Sequence, residues 1–355
     1  EHTARELQTQ RATWLGNSMA CISFWTGRQE GSPCHAKLTW NMSLLERNLD
    51  KAIALGSEYL YKTCLTGPKA EEAFARVLSQ QKLNMEQQFI RQGNQYAAVR
   101  AAAHYSVEYA LSERCSGVTG YHFLCGLLEQ ADWAAMGKKL EAVREKVLNH
   151  AALTVSLHGS EEALEKLRAL LPGSAFAAQG RTAAKPYTEV LTAFIIDGGV
   201  NYDILTWPME RQADRRVLAR IMSYEYLWHN IREVGGAYGT GMLTRAQTEG
   251  LYTYRDPHLT ESYETFAKAP EVLAGREYTE KDLTEFIVGA VSEMDSPKKP
   301  NAEAKELDRR YFCGITDAML AADRKAMCSV TAETIRAQAA DLADRMANAT
   351  RVAFG

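Results

Sequence analysis

Apolar and polar positions along the chain fall into two successive runs, each of short strands followed by helices. Ser18–Trp25 and His35–Trp40 read as short strands with Gly and Pro between them. In Leu44–Tyr61 the residues Leu45, Leu49, Ala52, Ile53 and Leu60 keep helical spacing. Pro68–Gln92 reads as a polar-apolar helix that ends before Gly93, and Asn94–Glu113 as an Ala-rich helix suited to close packing. Tyr121–Gln130 and Met136–Leu148 complete this helical layer.

The second run begins near Asn149. Leu153–Leu157 reads as a strand and Ser160–Leu171 as a helix, with Ser160 placed to cap it and Glu161 and Glu162 in its first turn. Pro172–Pro186 is a Gly, Ala and Ser-rich loop. Val190–Asp197 and Val200–Leu205 look like two strands joined at Gly198-Gly199. A helix over Ala213–Val234 leads into a hairpin of Ala237–Leu243 and Leu251–Tyr254. Helices at Thr260–Leu273, Glu280–Val291, Ala302–Tyr311, Asp317–Lys325 and Ala332–Ala347 follow, and Arg351–Gly355 reads as a strand. The order predicts an α+β architecture of two layered domains, 1–148 and 149–355, without a short-period repeat.

At 355 residues, 46% hydrophobic and 24% charged, the chain has the composition of a globular protein with a core. A net charge of -3 argues against a general nucleic-acid or membrane-surface binder. No apolar run is long enough to span a bilayer, and the start does not read as a signal peptide. The chain opens on Glu1 and stops on a strand-like segment, which points to a piece of a longer polypeptide. The cysteines (Cys21, Cys34, Cys64, Cys115, Cys125, Cys313 and Cys328) are odd in number, scattered, and never in Cys-x-x-Cys spacing. Free thiols in a reducing compartment, a bacterial cytoplasm or an organelle matrix, fit that pattern.

Self-sufficient catalytic motifs are missing. No two of the eight histidines have His-x-x-x-His spacing, and neither His-Glu-x-x-His nor His-x-x-Glu-His occurs, so no metal ligands are assigned. There is no Gly-x-Ser-x-Gly elbow, phosphate loop or dinucleotide fingerprint. What stands out is Tyr226–Pro257. Arg232 closes a helix, Gly235-Gly236 breaks it, and Tyr238 opens the next strand. A guanidinium and a phenol brought to one corner offer hydrogen bonds to a carbonyl or carboxylate from two directions. The residues alone allow a plainer account, since Arg in a last turn favours the helix dipole and Gly after it is a common cap. A second Gly suggests the close approach of another chain or of a substrate.

At this stretch the sequence resembles the C-terminal half of presequence-protease-type peptidases, pitrilysin-like metallopeptidases with an inverted zinc motif. The resemblance is carried by Arg232-Glu233-Val234-Gly235-Gly236-Ala237-Tyr238-Gly239 with Tyr252-Thr253-Tyr254-Arg255-Asp256-Pro257 downstream. Residues 287–297 and 311–317 agree, and 93–97 and 117–124 are similar to the family's third domain. It runs from about Thr39 to Gly355; the first strands of the third domain and the last helix of the fourth find no counterpart.

The resemblance implies a clamshell fold, with this chain supplying a third domain truncated at its start and a fourth domain. The zinc of the complete enzyme would be bound by an N-terminal half that carries His-x-x-Glu-His and is absent here, so this chain should be inactive alone. Arg232 and Tyr238 fall on the family's substrate-gripping pair. Their implied roles are to hold the peptide backbone and to polarise the scissile carbonyl, with Gly235 and Gly236 beside them in the substrate-binding surface. The implied function is the substrate-binding half of a zinc metalloendopeptidase that degrades short unfolded peptides in a closed chamber. Its partners would be the zinc-binding half, on the same or a separate polypeptide, and the peptide, with no nucleic acid and no membrane. The alternative is a non-catalytic scaffold or partner subunit of the same fold.

Overall fold

The computed structural model describes residues 2–28, 32–148, 153–170, 193–209, 212–245 and 247–355. The first element is a helix that hydrophobic periodicity does not announce, α1 (Ala4–Trp14). Its signal in the sequence is a cap: Thr3 accepts the backbone N–H of Glu6 and the Glu6 carboxylate reaches back to Thr3, a reciprocal capping box. An antiparallel ribbon of β1 (Leu15–Thr26) and β2 (Cys34–Leu44) follows, then α2 (Leu49–Tyr61).

Next comes α3 (Pro68–Ala102), one helix where two were expected. It kinks at Gln92 (φ -133°, ψ 32°) and does not end before Gly93. Two carbonyls beside the kink are taken by phenols from the sheet. The Tyr202 phenol donates to the Ile90 carbonyl and the Tyr254 phenol to the Arg91 carbonyl at 3.0 Å. Gly93 lies against the Tyr202 ring, where a Cβ would clash. Helices α4 (Val107–Ser116), α5 (Val118–Gln130), α6 (Trp133–Val147) and α7 (Glu161–Leu170) continue the layer. Residues 153–157 form no strand. Leu153 and Val155 are about half exposed, and among the described residues no strand lies beside them to complete a ladder. Asn149 and the loop at 172–186 lie outside the described residues.

The remaining elements are β3 (Ala193–Phe194), β4 (Tyr202–Pro208), α8 (Arg215–Ile221), a π-helix (Met222–Val234), β5 (Gly239–Arg245), β6 (Thr248–Tyr254), α9 (Thr260–Gly275), α10 (Glu280–Asp295), α11 (Pro300–Cys313), α12 (Asp317–Cys328), α13 (Ala332–Ala347) and β7 (Thr350–Phe354). They build a sheet of order β3-β7-β4-β6-β5. β3 and β4 are not neighbours across Gly198-Gly199 as expected. β7 runs between them, parallel to β3 and antiparallel to β4, so the last strand of the chain is interior to the sheet.

Both faces of this sheet are covered. Tyr202 and Ile204 on β4, with Val352 and Phe354 on β7, pack against Met85, Phe89, Ala97 and Ala101 of α3. The opposite face presents Leu205, Trp207 and Leu251 to α8, the π-helix, α9 and α13, where Val217, Leu218, Leu227, Phe266 and Leu342 are buried. Alternation along β4 thus feeds two cores, one on each side. Helices from the first half of the chain close one face of the sheet that carries Tyr238's hairpin.

Candidate functional site

The corner is formed where the π-helix meets β5. In the helix's last turn Gly235 N–H bonds to the Asn230 carbonyl, five residues back, at 3.1 Å. Gly236 N–H bonds to Arg232 and Ala237 N–H to Ile231. Each glycine has its own local reason. A Cβ on Gly235 would stand 2.6 Å from the Ile231 carbonyl oxygen, and Gly236 has φ +80°. The paired glycine therefore follows from how the chain leaves a wide helix turn and enters a strand.

Tyr238 sits one residue before β5, and its backbone N–H bonds to the Arg255 carbonyl at 3.2 Å. Its side chain is 67% exposed. The Arg232 guanidinium lies 5.8 Å from the centre of the Tyr238 ring and 4.0 Å from that of Trp228. Arg232 is half-buried and, among the described residues, makes no ion pair. The nearest carboxylate in sequence, Glu233, is bound by His229 Nδ1 at 2.9 Å. Tyr238 and Arg232 are thus together on one open surface, with their polar donors not spent on each other.

The Tyr-Arg-Asp-Pro segment holds the corner from below. Arg255 has φ +50°, and the reversal it makes turns its carbonyl toward Tyr238. Its guanidinium lies 5.7 Å from the Tyr254 ring, and the Tyr202 phenol beside it raises its pKa. Tyr254 packs edge-on against Tyr238 at 5.8 Å. Asp256 is buried. Its carboxylate accepts the His258 N–H and the Ser262 hydroxyl at 2.9 and 2.7 Å, and its backbone pairs with Asn201. Beside it on β4, Asp203 is fully buried and accepts the Thr253 hydroxyl at 3.0 Å. Burial pushes the Asp203 carboxyl up to about 8, and the neighbouring Asp256 carboxylate pushes the same way.

In the sequence Asp256 stands out only as part of a motif, and Asp203, Trp228 and Tyr254 do not stand out as supports of the corner. Trp228 has a signal in its spacing of four from Arg232 on the same helix. Asp203 has none, since its role depends on which strands are neighbours. For metal binding, among the described residues no group of three or more His, Cys, Asp or Glu side chains is placed to hold an ion. His229 with Glu233 is a lone pair of groups. Nor is any helix among them long and apolar enough to cross a membrane.

Two family models match the chain. Residues 203–353 match the PreP C-terminal domain, and residues 1–127 match the associated domain of peptidase family M16, subfamily C. The chain is similar to presequence protease 1, chloroplastic/mitochondrial, of Arabidopsis thaliana, with 26% identity over 263 residues, covering 70% of this chain and 24% of that protein. It is similar to the mitochondrial presequence protease of Mus musculus, with 25% identity over 329 residues, covering 81% of this chain and 31% of that protein. It therefore spans less than a third of either curated relative's length. Among solved structures the fold is shared with a peptidase M16 inactive domain from Pseudomonas fluorescens, at TM-score 0.57 and 14% identity, covering 95% of this chain and 80% of that one.

Proposed function

The chain is a C-terminal half of the M16 presequence-protease-like type, and on that premise we propose that it is the substrate-binding half of a zinc metalloendopeptidase acting on short unfolded peptides. The observation that carries the reading is the pairing of an exposed phenol, Tyr238, with a guanidinium, Arg232, whose donors are not consumed by a carboxylate. Arg232 holds the backbone of an extended peptide. Tyr238 donates to the carbonyl oxygen of the bond being cut as negative charge develops there. Gly236, where an added Cβ would meet nothing closer than Pro257 at 3.8 Å, leaves the approach to the two side chains clear, and Gly235 serves the turn that places it. The described residues of this chain do not fit a zinc site. The metal belongs, on this reading, to an N-terminal half, on the same or a separate polypeptide, that closes over the corner to form a chamber, and an organelle matrix suits the compartments named for the two relatives.

The test is Tyr238→Phe in the complete enzyme. A donor that acts mainly in the transition state should lower kcat by about 10²–10³ with little change in KM. Unchanged kcat with a raised KM would make Tyr238 a binding residue only. Unchanged kcat and KM would remove Tyr238 from the site, and absence of any turnover by the complete wild-type protein would favour a non-catalytic scaffold.

A further inference from the structure

An arginine that must offer its donors to a ligand has to be held by something other than a carboxylate. We infer that Trp228 is the positioning residue for Arg232, holding its guanidinium by stacking so that the N–H groups stay available to a peptide; the inference rests on the reading of Arg232 as a substrate-gripping residue.

The helix geometry sets up the stack. In an α-helix residues four apart are offset by about 40° around the axis. A wider i→i+5 turn brings them closer to one line, and Tyr224, Trp228 and Arg232 all lie in the π-helical stretch. The Arg232 guanidinium sits 4.0 Å from the Trp228 ring centre, a contact distance, whereas it is 5.8 Å from Tyr238. Stacking fixes the position of the guanidinium by attraction to the ring face and leaves its edge donors unused, which an Asp or Glu partner would not. Trp is the strongest of the aromatic side chains in this role.

Trp228 is itself backed. Tyr224 lies 6.2 Å behind it with the rings 34° apart, and the Arg220 guanidinium stands 5.1 Å from the Tyr224 ring. Arg220 in turn pairs with Glu293 on α10 and packs over Gly289, where a Cβ would meet the guanidinium. A continuous stack thus runs from α10 along the exposed face of the π-helix to Tyr238. Arg232 and Tyr224 both flank the indole, which is half-buried. Its part is to hold Arg232.

The experiment is a double-mutant cycle in the complete enzyme, read as kcat and KM on a peptide substrate. Trp228→Ala should raise KM about tenfold, the effect of a partly exposed cation–π contact, with a smaller change in kcat. Trp228→Phe should restore most of the loss, because a phenyl face also stacks. In an Arg232→Ala background, Trp228→Ala should add almost nothing. An equal loss in both backgrounds would show that Trp228 acts independently of Arg232 and would overturn the inference. So would a Trp228→Ala enzyme with wild-type constants beside an impaired Arg232→Ala enzyme. If Arg232→Ala itself leaves KM and kcat untouched, the gripping role of Arg232 fails first and the role of Trp228 goes with it. Should Trp228→Ala not fold, Trp228→Leu and Trp228→Phe complete the cycle: Leu fills space without a stacking face, so Leu must be impaired and Phe not.

Discussion

The β1–β2 ribbon has strands of 12 and 11 residues, while β4, β5 and β6 have 7 each. The longer strands are nonetheless the more weakly supported. Leu15, Ala52 and Leu55 form the small buried cluster at the ribbon's base, and Met19, Ile22 and Leu38 face outward. Its far end is tied by the stacking of Trp25 on Phe312 at 4.6 Å and by an ion pair of Arg28 with Asp323. The five-stranded sheet is instead sandwiched, with every residue of β4 except Pro208 buried. The contrast teaches that pairing length does not immobilise a strand; burial of both faces does. The corner of Arg232 and Tyr238 is mounted where the π-helix meets β5, the edge strand of that sandwiched sheet.

The strongest way to break this comparison is to attack the sheet's inner face. Arg215 is buried and bonds Glu249 through Nε and one terminal nitrogen, both at 2.8 Å, with Asp341 at 3.0 Å on the other. Trp207 Nε1 also donates to Glu249. Burial pushes the Glu249 carboxyl up, while Arg215 pulls it down. Glu249→Ala strands a buried guanidinium beside a hole and should cost about 3–5 kcal/mol in urea unfolding. A loss under about 1 kcal/mol would mean that the inner face rearranges freely, and the sheet would then be no firmer than the ribbon.

An effect of opposite sign at neutral pH, and of comparable total size, is expected at Asp203. An unfolded Asp titrates near 3.9, whereas the folded group titrates at about 8. Between these values the folded state holds a proton that the unfolded state has lost. Stability therefore falls as pH rises from about 4 toward 8, by up to about 1.4 kcal/mol per unit from this group, and levels off above 8. Asparagine carries an N–H where the protonated acid carries its O–H, and its carbonyl can still accept the Thr253 hydroxyl. Asp203→Asn should therefore be more stable than wild type at pH 7–8, with the gap closing toward pH 4. Parallel curves for the two proteins would refute a protonated Asp203.

The corner is legible in the sequence because it is local. Arg232, two glycines and Tyr238 lie within seven residues, and the hairpin that follows is an apolar-periodic pair of strands. What escapes is set by distant partners. Nothing in Pro68–Gln92 announces that two phenols more than a hundred residues away will accept a kink in place of a break. The placing of β7 between β3 and β4 is likewise invisible to periodicity, which reports faces and not neighbours. The π-helix escapes for a different reason. Its apolar residues still fit a helical spacing, so the wider turn changes which side chains stack without changing the pattern.

The smallest expected effect lies on the ribbon. Ile22 is 54% exposed and stands opposite Leu38, itself 48% exposed. Ile22→Thr keeps a β-branched side chain in the strand and gives up only a solvated cross-strand contact. It should change stability by no more than about 0.5 kcal/mol. The matching change in the sheet, Ile204→Thr, shortens the side chain at a fully buried position and places a hydroxyl between Tyr202's core and α3. An unpartnered buried hydroxyl alone costs about 1–3 kcal/mol, so the two identical substitutions should differ several-fold. Equal losses for Ile22→Thr and Ile204→Thr would mean that the ribbon's outer face is covered in solution, and that the ribbon is supported from a side that its own helices do not supply.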